Sequence, residues 1–439
     1  MLHQLVNAGS ELFVNRRRVV RRRDFLRAVS WSGAAAAAGV HWTDRLSAHA
    51  ADLRQRGMAC ILLWMQGGPS QFETWDPKPG HAHGGDTRGI ATSVPGITLA
   101  EYLPELAQSM DELCILRTVN SREGNHPRAT YLMHTGYLPT ASIKHPTLGA
   151  IVTRELGRPD FDLPGFVRIG EAGAARGSAG GGYLGVAYDP FAVQDPARPP
   201  NNTTLPGTVT NARFRRRMGL LDDLEAGFEQ AGARQEVRDH KQLYDKASRL
   251  VLSPRMSAFD LEREPESVRA AYGESAFASG CLLARRLVEA GITFVEVTLG
   301  NWDTHDNNFE RCRELCEQMD RPYAALLRDL RQRGLLDKTL VVWMGEFGRT
   351  PQVNPRGGRD HYPRAFSTVL AGAGIRGGQV IGRTSPGGDE AADRPVGVND
   401  LLRTICHGLG VDADKENMSN VGRPMRIVDG GDVVSEAFG

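Results

Sequence analysis

Carboxylate and imidazole side chains are concentrated in three loops, and each loop follows an apolar run that predicts a buried strand. The loops are QGGPSQFETWDPKPG after MACILLWM, GNWDTHDNNF after ITFVEVTL, and GEFGRTPQVNPRGGRDHYP after TLVVWM. Because ligands bind at the carboxyl ends of strands in open α/β sheets, these side chains are expected to meet at one sheet edge. Such groups suit zinc, manganese or iron, so the sequence predicts a divalent metal site. The candidate metal ligands are Asp76 in the first loop, Asp303 and His305 in the second, and Glu346, Asp360 and His361 in the third.

Each of these residues also has a purely structural interpretation. Asp303 could cap the helix that is predicted to begin near Asn307. His305 alone is typical of a hydrogen-bonded surface histidine. Glu346 directly follows a buried strand and needs a partner, which Arg349 could supply as a structural ion pair. The coincidence of such residues at three strand ends nevertheless favours a shared functional site.

A second candidate segment, SREGNHPRATYLMHTGYLP, contains His126, Arg128, Thr130 and His134. If Thr130 to His134 is a helical turn, these two side chains share one face, and His126 lies in the loop before the helix. The amino terminus of such a helix would favour an anion. The structural alternative is a capped helix that packs its apolar residues inward.

The order of apolar runs and helical patterns indicates an α/β protein. Near-continuous apolar runs at residues 58–65 and 113–116, and in GFVRIG, ITFVEVTL, TLVVWMG and STVLAG, are typical of strands covered on both faces. Helical patterns separate most of these strands, and VNDLLRTICHGLG predicts a final helix. A charged helical insertion is expected at about residues 205–275. The tract from Gly170 to Gly185 is predicted to be a surface loop, because no helix follows it to form a phosphate cradle.

Composition excludes several classes of protein. The chain has 439 residues, of which 41% are hydrophobic and 24% charged, so it is long and apolar enough for a full core. A formal net charge of +1 gives no indication of a nucleic-acid partner. The six cysteines include no CxxC motif, which argues against a zinc knuckle and for buried thiols.

The amino terminus predicts export from the cytoplasm. RRRDFLRAVSWSGAAAAAGVHWTDRLSAHAA contains the pair Arg22 and Arg23, an Ala/Gly-rich stretch, and the A-x-A motif at residues 48–50. The segment resembles a twin-arginine signal peptide over residues 1–50, followed by one domain over residues 51–439. Its apolar run, residues 28–40, is shorter than the roughly 20 residues needed to cross a bilayer. We therefore expect a periplasmic or envelope protein with no integral membrane span after signal removal.

From about Met58 to its end, the chain is similar to an exported bacterial family catalogued as domain of unknown function 1501. The resemblance is carried by LLWMQGGPSQFETWDPKP, NHPRATYLMHTG, WDTHDNNF, GEFGRTP and GRDHYP. That family is grouped with alkaline phosphatases and sulfatases. The resemblance implies a doubly wound, mostly parallel sheet with helices on both faces and metal ligands on strand-end loops. It also implies a divalent metal (zinc, manganese or calcium) and a small anionic ester as substrate.

Individual positions match that superfamily in part. Asp303 and His305 resemble its Asp and His ligand pair, Glu346 stands at a ligand-bearing strand end, and His361 stands in the place of a later ligand. The sulfatase nucleophile stands nine residues before the Thr of a Thr-Gly pair, and the count back from Thr135 gives His126. The first strand of relatives ends on a metal-binding Asp, where this chain has Gln66.

The resemblance implies a metal-dependent hydrolase-like protein that acts on sulfate or phosphate esters. In that interpretation, Arg128 or Arg349 holds the anionic group, and His126 acts as a base or as a covalent acceptor. The alternative is a non-catalytic metal-binding or envelope-associated protein that keeps the hydrolase fold.

Overall fold

The computed structural model describes residues 11–15, 18–21, 57–158, 160–170, 180–230 and 234–439. The chain divides into two compact units, Met1–Gln55 and Arg56–Gly439. In the first unit, strand β1 (Glu11–Asn15) pairs antiparallel with β2 (Arg18–Arg21). The arginine pair at 22 and 23 and the A-x-A motif at 48–50 lie outside the described residues, so the export signal stays a prediction.

The second unit alternates strands and helices along the chain. Its strands are β3 (Ala59–Met65), β4 (Gly89–Ala91), β5 (Thr98–Ala100), β6 (Cys114–Asn120), β7 (Phe166–Ile169), β8 (Phe191–Val193), β9 (Phe294–Leu299), β10 (Thr339–Met344), β11 (Gly348–Arg349), β12 (His361–Tyr362), β13 (Phe366–Ala371), β14 (Gln379–Ile381), β15 (Arg383–Thr384), β16 (Ala391–Asp393), β17 (Val396–Gly397), β18 (Glu416–Met418) and β19 (Pro424–Arg426). Its α-helices are α1 (Pro104–Gln108), α2 (His126–Thr135), α3 (Leu148–Leu156), α4 (Asn211–Gln230), α5 (Arg234–Leu252), α6 (Glu266–Tyr272), α7 (Ala276–Glu289), α8 (Asn308–Gln332) and α9 (Val398–Leu409).

Nine of these strands form the central sheet. The order is β14-β6-β13-β10-β3-β9-β7-β8, and β17 also pairs with β6. Every pairing in the sheet is parallel except the two made by β13 with β10 and β6. The predicted mostly parallel α/β sheet is confirmed. Its central strands are buried along their whole length, because a strand covered on both faces needs apolar side chains at every position.

Helices cover both faces of the sheet. A Cβ added to Gly280 of α7 would lie 2.7 Å from Val297, and one added to Gly149 of α3 would lie 2.8 Å from Phe294. Val297 and Phe294 are three residues apart on β9, so their side chains point to opposite faces. Glycine at each helix position therefore allows a close approach to one face of the same strand.

The antiparallel direction of β13 matters for the position of its preceding loop. The carboxyl ends of β3, β9 and β10 lie at one edge of the sheet, and β13 begins at that same edge because it runs the other way. Residues just before Phe366 therefore lie beside the loops that follow the three parallel strands. His361 in β12 reaches this edge from the amino end of a strand.

The predicted insertion corresponds to α4, α5 and α6, which lie between residues 211 and 272. The Gly-rich tract falls partly outside the described residues, since 171–179 are not described. All six cysteines are buried, as their spacing predicted. Within the described residues, no helix is both long and apolar enough to cross a membrane.

A buried ionic cluster ties α2 to the sheet. Arg168 of β7 donates to both oxygens of Glu296 on β9, at 2.9 and 3.2 Å, and these residues are register partners. His134, at the end of α2, places Nε2 3.6 Å from the Glu296 carboxylate, and its ring lies 4.2 Å from the Trp64 ring in a tilted contact. Burial opposes the charged form of Glu296, but Arg168 and His134 outweigh it and lower its pKa to about 2. The cluster thereby fixes the helix that begins at His126.

This cluster predicts a specific acid dependence of folding stability. Because the pKa of Glu296 is lower in the folded chain than its ordinary 4.5, its stabilisation is fully present above about pH 4.5 and is lost as pH falls toward 2. The contribution is on the order of 3 kcal/mol. We expect Glu296→Gln to be less stable than the parent at pH 6, since it leaves a buried guanidinium without its partner charge. Urea unfolding at a series of pH values should show the two free energies converging as pH falls; a constant difference would contradict this.

Candidate metal centre

Backbone hydrogen bonds hold the three strand-end loops together at the carboxyl edge of the sheet. The amide of Trp302, in the loop after β9, donates to the carbonyl of Gln66, just after β3, at 3.2 Å. The amide of Arg359, in the loop after β10, donates to the carbonyl of Thr304 at 3.0 Å. The loop order in the sheet therefore brings residues far apart in sequence to one place.

Arg349 is a fully buried guanidinium that fastens these loops. It donates to the backbone carbonyls of Gly67, Gly68, Trp302 and Arg359, so it contacts all three loops. Its remaining contact is charged, from Nη2 to Asp303 Oδ1 at 2.5 Å. The interpretation of Arg349 as an ion-pair partner for Glu346 is therefore wrong; the guanidinium holds Asp303.

Asp303 is the point on which three imidazoles converge. Its Oδ1 lies 3.1 Å from His305 Nε2 and 3.2 Å from His361 Nε2, and its Oδ2 lies 3.3 Å from His126 Nε2. The Asp303 side chain remains 44% exposed, so the cluster opens to solvent. Asp303 does not cap α8, whose N-cap residue is Asn307.

Each of the three imidazoles is oriented through its other nitrogen. His126 donates from Nδ1 to Glu346 Oε1 at 2.6 Å. In the same way, His305 donates to Asp360 Oδ1 at 2.7 Å, and His361 donates to the Gly124 carbonyl at 2.8 Å. With the hydrogen on Nδ1, a neutral imidazole presents the lone pair of Nε2. This is the arrangement by which proteins orient histidine ligands of metals.

The spacing of the Nε2 atoms fits a shared cation. The Nε2 atoms of His305 and His361 are 3.0 Å apart, too close for two bare lone pairs. Four ligands about 2.0–2.1 Å from a tetrahedral ion lie roughly 3.3 Å from one another, close to the separations between the Asp303 oxygens and the three Nε2 atoms. His126 Nε2 is buried and has no hydrogen-bond partner among the described residues. The ligand atoms of His126, Asp303 and His361 all lie within 4.8 Å of one another, so these residues could hold a metal ion.

The charges of the cluster also favour a cation. Burial opposes a charged His126, but the neighbouring carboxylates of Asp303 and Glu346 outweigh this and raise its pKa to about 9. Burial likewise opposes a charged Asp303, but His126, His361 and Arg349 hold its pKa well below the usual range. The hydrogen bond from His305 lowers the pKa of Asp360. Positive charge at Nε2 of His126, whether carried by a proton or by a metal, is thus stabilised by its surroundings.

The other predicted ligands have different positions. Glu346 is fully buried, and both of its oxygens accept from the Gly67 amide, at 3.0 and 3.2 Å, so it orients His126 and does not face the opening. Asp360 likewise orients His305. Asp76 is not part of the cluster, because its carboxylate accepts from Lys78 at 3.0 Å and from Thr384 at 2.5 Å.

The helix start at His126 differs from the sequence prediction. His126 is the first residue of α2 and not a loop residue, since Asn125 is the N-cap and accepts from the Arg128 amide at 3.4 Å. Proline at position 127 suits the first turn, where the missing N–H would have no partner. Arg128 itself is exposed and donates from Nε to Glu123 at 2.6 Å. Gly136, with φ of 75°, ends the helix in a left-handed cap.

Sequence reasoning missed the role of Gly67. Its amide donates to Glu346 and its carbonyl accepts from Arg349, so one peptide segment positions both side chains. A Cβ on Gly67 would lie 2.5 Å from the Asp303 amide nitrogen, and its φ is +115°. A glycine two residues after a buried strand was the available signal, since it marks close backbone approach.

The fold and the cluster together define an α/β protein with a candidate metal centre at the carboxyl edge of its sheet. The chain belongs to the family described as "Protein of unknown function (DUF1501)", whose profile matches residues 57–438. The family predicted from the sequence motifs is thus confirmed. A search of the curated proteins finds no match to the chain.

Several solved structures show a detectable likeness to this chain at low identity. They include the PsFucS1 sulfatase from Pseudoalteromonas sp., with 12% identity over 84% of this chain and 72% of that chain and a TM-score of 0.37. A protein in the alkaline phosphatase superfamily from Vibrio parahaemolyticus has 13% identity over 81% and 67%, with a TM-score of 0.38. The phosphonate monoester hydrolase of Agrobacterium radiobacter has 13% identity over 87% and 77%, with a TM-score of 0.33.

The position of Gly67 yields a stability prediction. Gly67→Ala should lower the free energy of unfolding by on the order of 2 kcal/mol or more, because the new Cβ meets backbone and the residue must keep a positive φ. Gly219→Ala is the matched control, since Gly219 lies in α4 with open space around its Cβ position and should gain roughly 0.5–1 kcal/mol. Thermal and urea unfolding would measure both, and equal stability of the two variants would contradict the tight contact.

Proposed function

We propose that this chain is an exported, metal-dependent hydrolase of small sulfate or phosphate esters. The observation that supports the proposal is the convergence of three oriented Nε2 atoms on Asp303. We assign the metal to His126, Asp303 and His361, with His305 beside them. Zinc or manganese suits these nitrogen and oxygen ligands best. The periplasmic or envelope location follows from the twin-arginine motif alone.

The charge of the site supports a divalent ion. The carboxylates of Asp303, Glu346 and Asp360 carry three negative charges, and Arg349 supplies one positive charge. A metal ligand must be a neutral imidazole, so binding would displace the proton that Asp303 and Glu346 favour on His126; two negative charges then remain, which a divalent ion would neutralise. This excess is partly exposed to solvent, since the Asp303 and Asp360 side chains are 44% and 55% exposed, and only Glu346 is fully buried.

In the proposed reaction, different residues would hold the metal, orient its ligands and bind the anionic group of the substrate. A divalent metal held there would polarise an ester oxygen and lower the pKa of water. Glu346 holds the proton of His126 at Nδ1, which keeps Nε2 directed at Asp303. Arg349 fixes Asp303 and has its donors engaged by backbone, so it is not available for a substrate anion. Arg128, exposed and two residues after His126, is the better candidate to hold the anionic group.

A non-catalytic metal-binding protein is the second candidate. Gln66 and His126 occupy positions where the resemblance places a ligand and the nucleophile of hydrolases. Replacement of both would suit a protein that retains the metal for binding or for assembly at the cell envelope. The two candidates share the metal site and differ in ester hydrolysis.

Metal content tests the shared part of both candidates. We expect His361→Ala to hold less metal per chain than the parent, because it removes a ligand atom. Glu346→Gln should weaken metal affinity roughly 10- to 100-fold, because it replaces the carboxylate that orients His126 with a neutral amide. His407→Ala, an exposed histidine on α9, should leave metal content unchanged. Elemental analysis and competition titration give these values, and equal content in all four proteins would exclude the site.

Hydrolysis of a generic aryl phosphate or aryl sulfate separates the candidates. With metal restored, we expect slow turnover that falls at least roughly tenfold in His126→Ala. Arg128→Gln should raise KM while metal content stays at the parent value, because its guanidinium contacts Glu123 and none of the assigned metal ligands. Arg122→Gln, a neighbouring exposed arginine, is the control for both effects. Full metal loading without turnover of a broad ester panel would favour the non-catalytic candidate.

A further inference from the structure

Helix α4 of the insertion presents an exposed stripe that is cationic at one end and apolar at the other. The stripe consists of Arg213, Arg217, Leu220, Leu224 and Phe228, spaced four, three, four and four residues apart, which places them along one side of the helix. Leu220, Leu224 and Phe228 are 57%, 66% and 64% exposed. Large apolar side chains aligned in this way are a marker of an interaction surface.

The stripe is not the face by which α4 packs on the protein. The inner face repeats the same spacing one residue later, and its side chains are buried or half-buried: Phe214, Met218, Leu221, Glu225 and Glu229. Glu225 contacts His240 of α5, and Glu229 lies 3.9 Å from Lys241. The inner face of α4 thus forms the contacts with α5, and the stripe residues remain exposed to solvent.

The arginines of α4 lie at its amino end, where the helix dipole disfavours positive charge. Arg213, Arg215, Arg216 and Arg217 all lie in its first two turns, all are exposed, and none forms an ion pair with any described residue. The first turn contains no acidic residue. Because the amino end of a helix carries partial positive charge, four arginines there are unfavourable for the isolated helix. A negatively charged partner would remove this repulsion.

We infer that the α4 stripe binds the surface of an anionic lipid bilayer. A helix that combines arginines with Leu and Phe on an exposed side lies in the membrane interface, with the apolar residues among the acyl chains and the cations at the headgroups. Leu243 and Tyr244 of α5 are also exposed, at 54% and 40%, and a tyrosine suits the same interface. The chain would attach to the membrane surface through the insertion hairpin.

A second copy of the chain suits the stripe less well. A parallel pairing of two α4 helices would oppose arginine to arginine. An antiparallel pairing would place Arg213 and Arg217 against Leu224 and Phe228 of the other copy, where the stripe has no carboxylate. Phosphate headgroups above acyl chains supply both the charge and the apolar contact that the stripe lacks.

Vesicle sedimentation of the full chain tests the inference. We expect binding to phosphatidylcholine vesicles that contain phosphatidylglycerol, with weaker binding at high salt and little binding to phosphatidylcholine alone. The combined variant Arg213→Gln, Arg216→Gln and Arg217→Gln should bind at least about tenfold more weakly. The pair Leu224→Ser and Phe228→Ser should lose affinity to a similar degree.

A charge-matched control keeps the test specific. Arg198→Gln, Arg263→Gln and Arg313→Gln remove three exposed arginines elsewhere and should bind like the parent. A Phe228→Trp variant should gain a blue-shifted emission component with the anionic vesicles, which shows that the stripe itself enters the interface. Absence of vesicle binding by the parent, or an equal loss in the control, would overturn the assignment. Capture of an acidic protein without vesicle binding would also overturn it.

Discussion

The contact between Arg349 and Asp303 is the constraint on which the candidate site depends. A guanidinium with no solvent exposure must donate its hydrogen bonds to groups inside the protein. Here four backbone carbonyls and one carboxylate accept them. Removal of Asp303 would be destabilising, because the Arg349 guanidinium would stay buried without its partner charge. The loops after β3, β9 and β10 therefore cannot separate without exposing this group or leaving it unpaired. Their fixed arrangement sets the position of Asp303, and the imidazoles are arranged around it.

The orientation of each imidazole is set by a residue other than Asp303, the carboxylate on which the imidazoles converge. A carboxylate or a carbonyl holds each Nδ1, and none of these acceptors needs to touch the central space. Glu346 illustrates the division, because it is the most buried of the candidate acids and acts through His126. A site of this kind distinguishes residues that hold an ion from residues that hold the ligands. Both sets are polar and close together, so a list of nearby side chains alone does not separate them.

The sequence predicted the strands and much of the cluster, since uninterrupted apolar runs mark strands covered on both faces and polar residues directly after them mark the sheet edge. Asp303, His305 and His361 were grouped correctly in space. The predicted ion pair between Glu346 and Arg349, which are close in sequence, was wrong. Glu346 pairs with His126, and Arg349 pairs with Asp303. The prediction of Asp76 as a ligand also failed, because its carboxylate accepts from Lys78 and from Thr384, which is 308 residues away. No local pattern reveals such a partner, and a buried apolar run looks the same in a parallel and an antiparallel strand.

The reversed direction of β13 has a consequence for how this site can vary. β10 and β13 are neighbours and antiparallel, so the chain between them leaves the sheet and returns at the same edge without crossing either face. Arg349, Asp360 and His361 all lie within this excursion. Insertions or deletions there would alter the site while the registers of both strands remain unchanged, which a crossover helix between parallel strands would not allow. Beyond Arg349, which fastens the three loops, the length and residues of this segment can therefore change without a change in the pairing of the sheet.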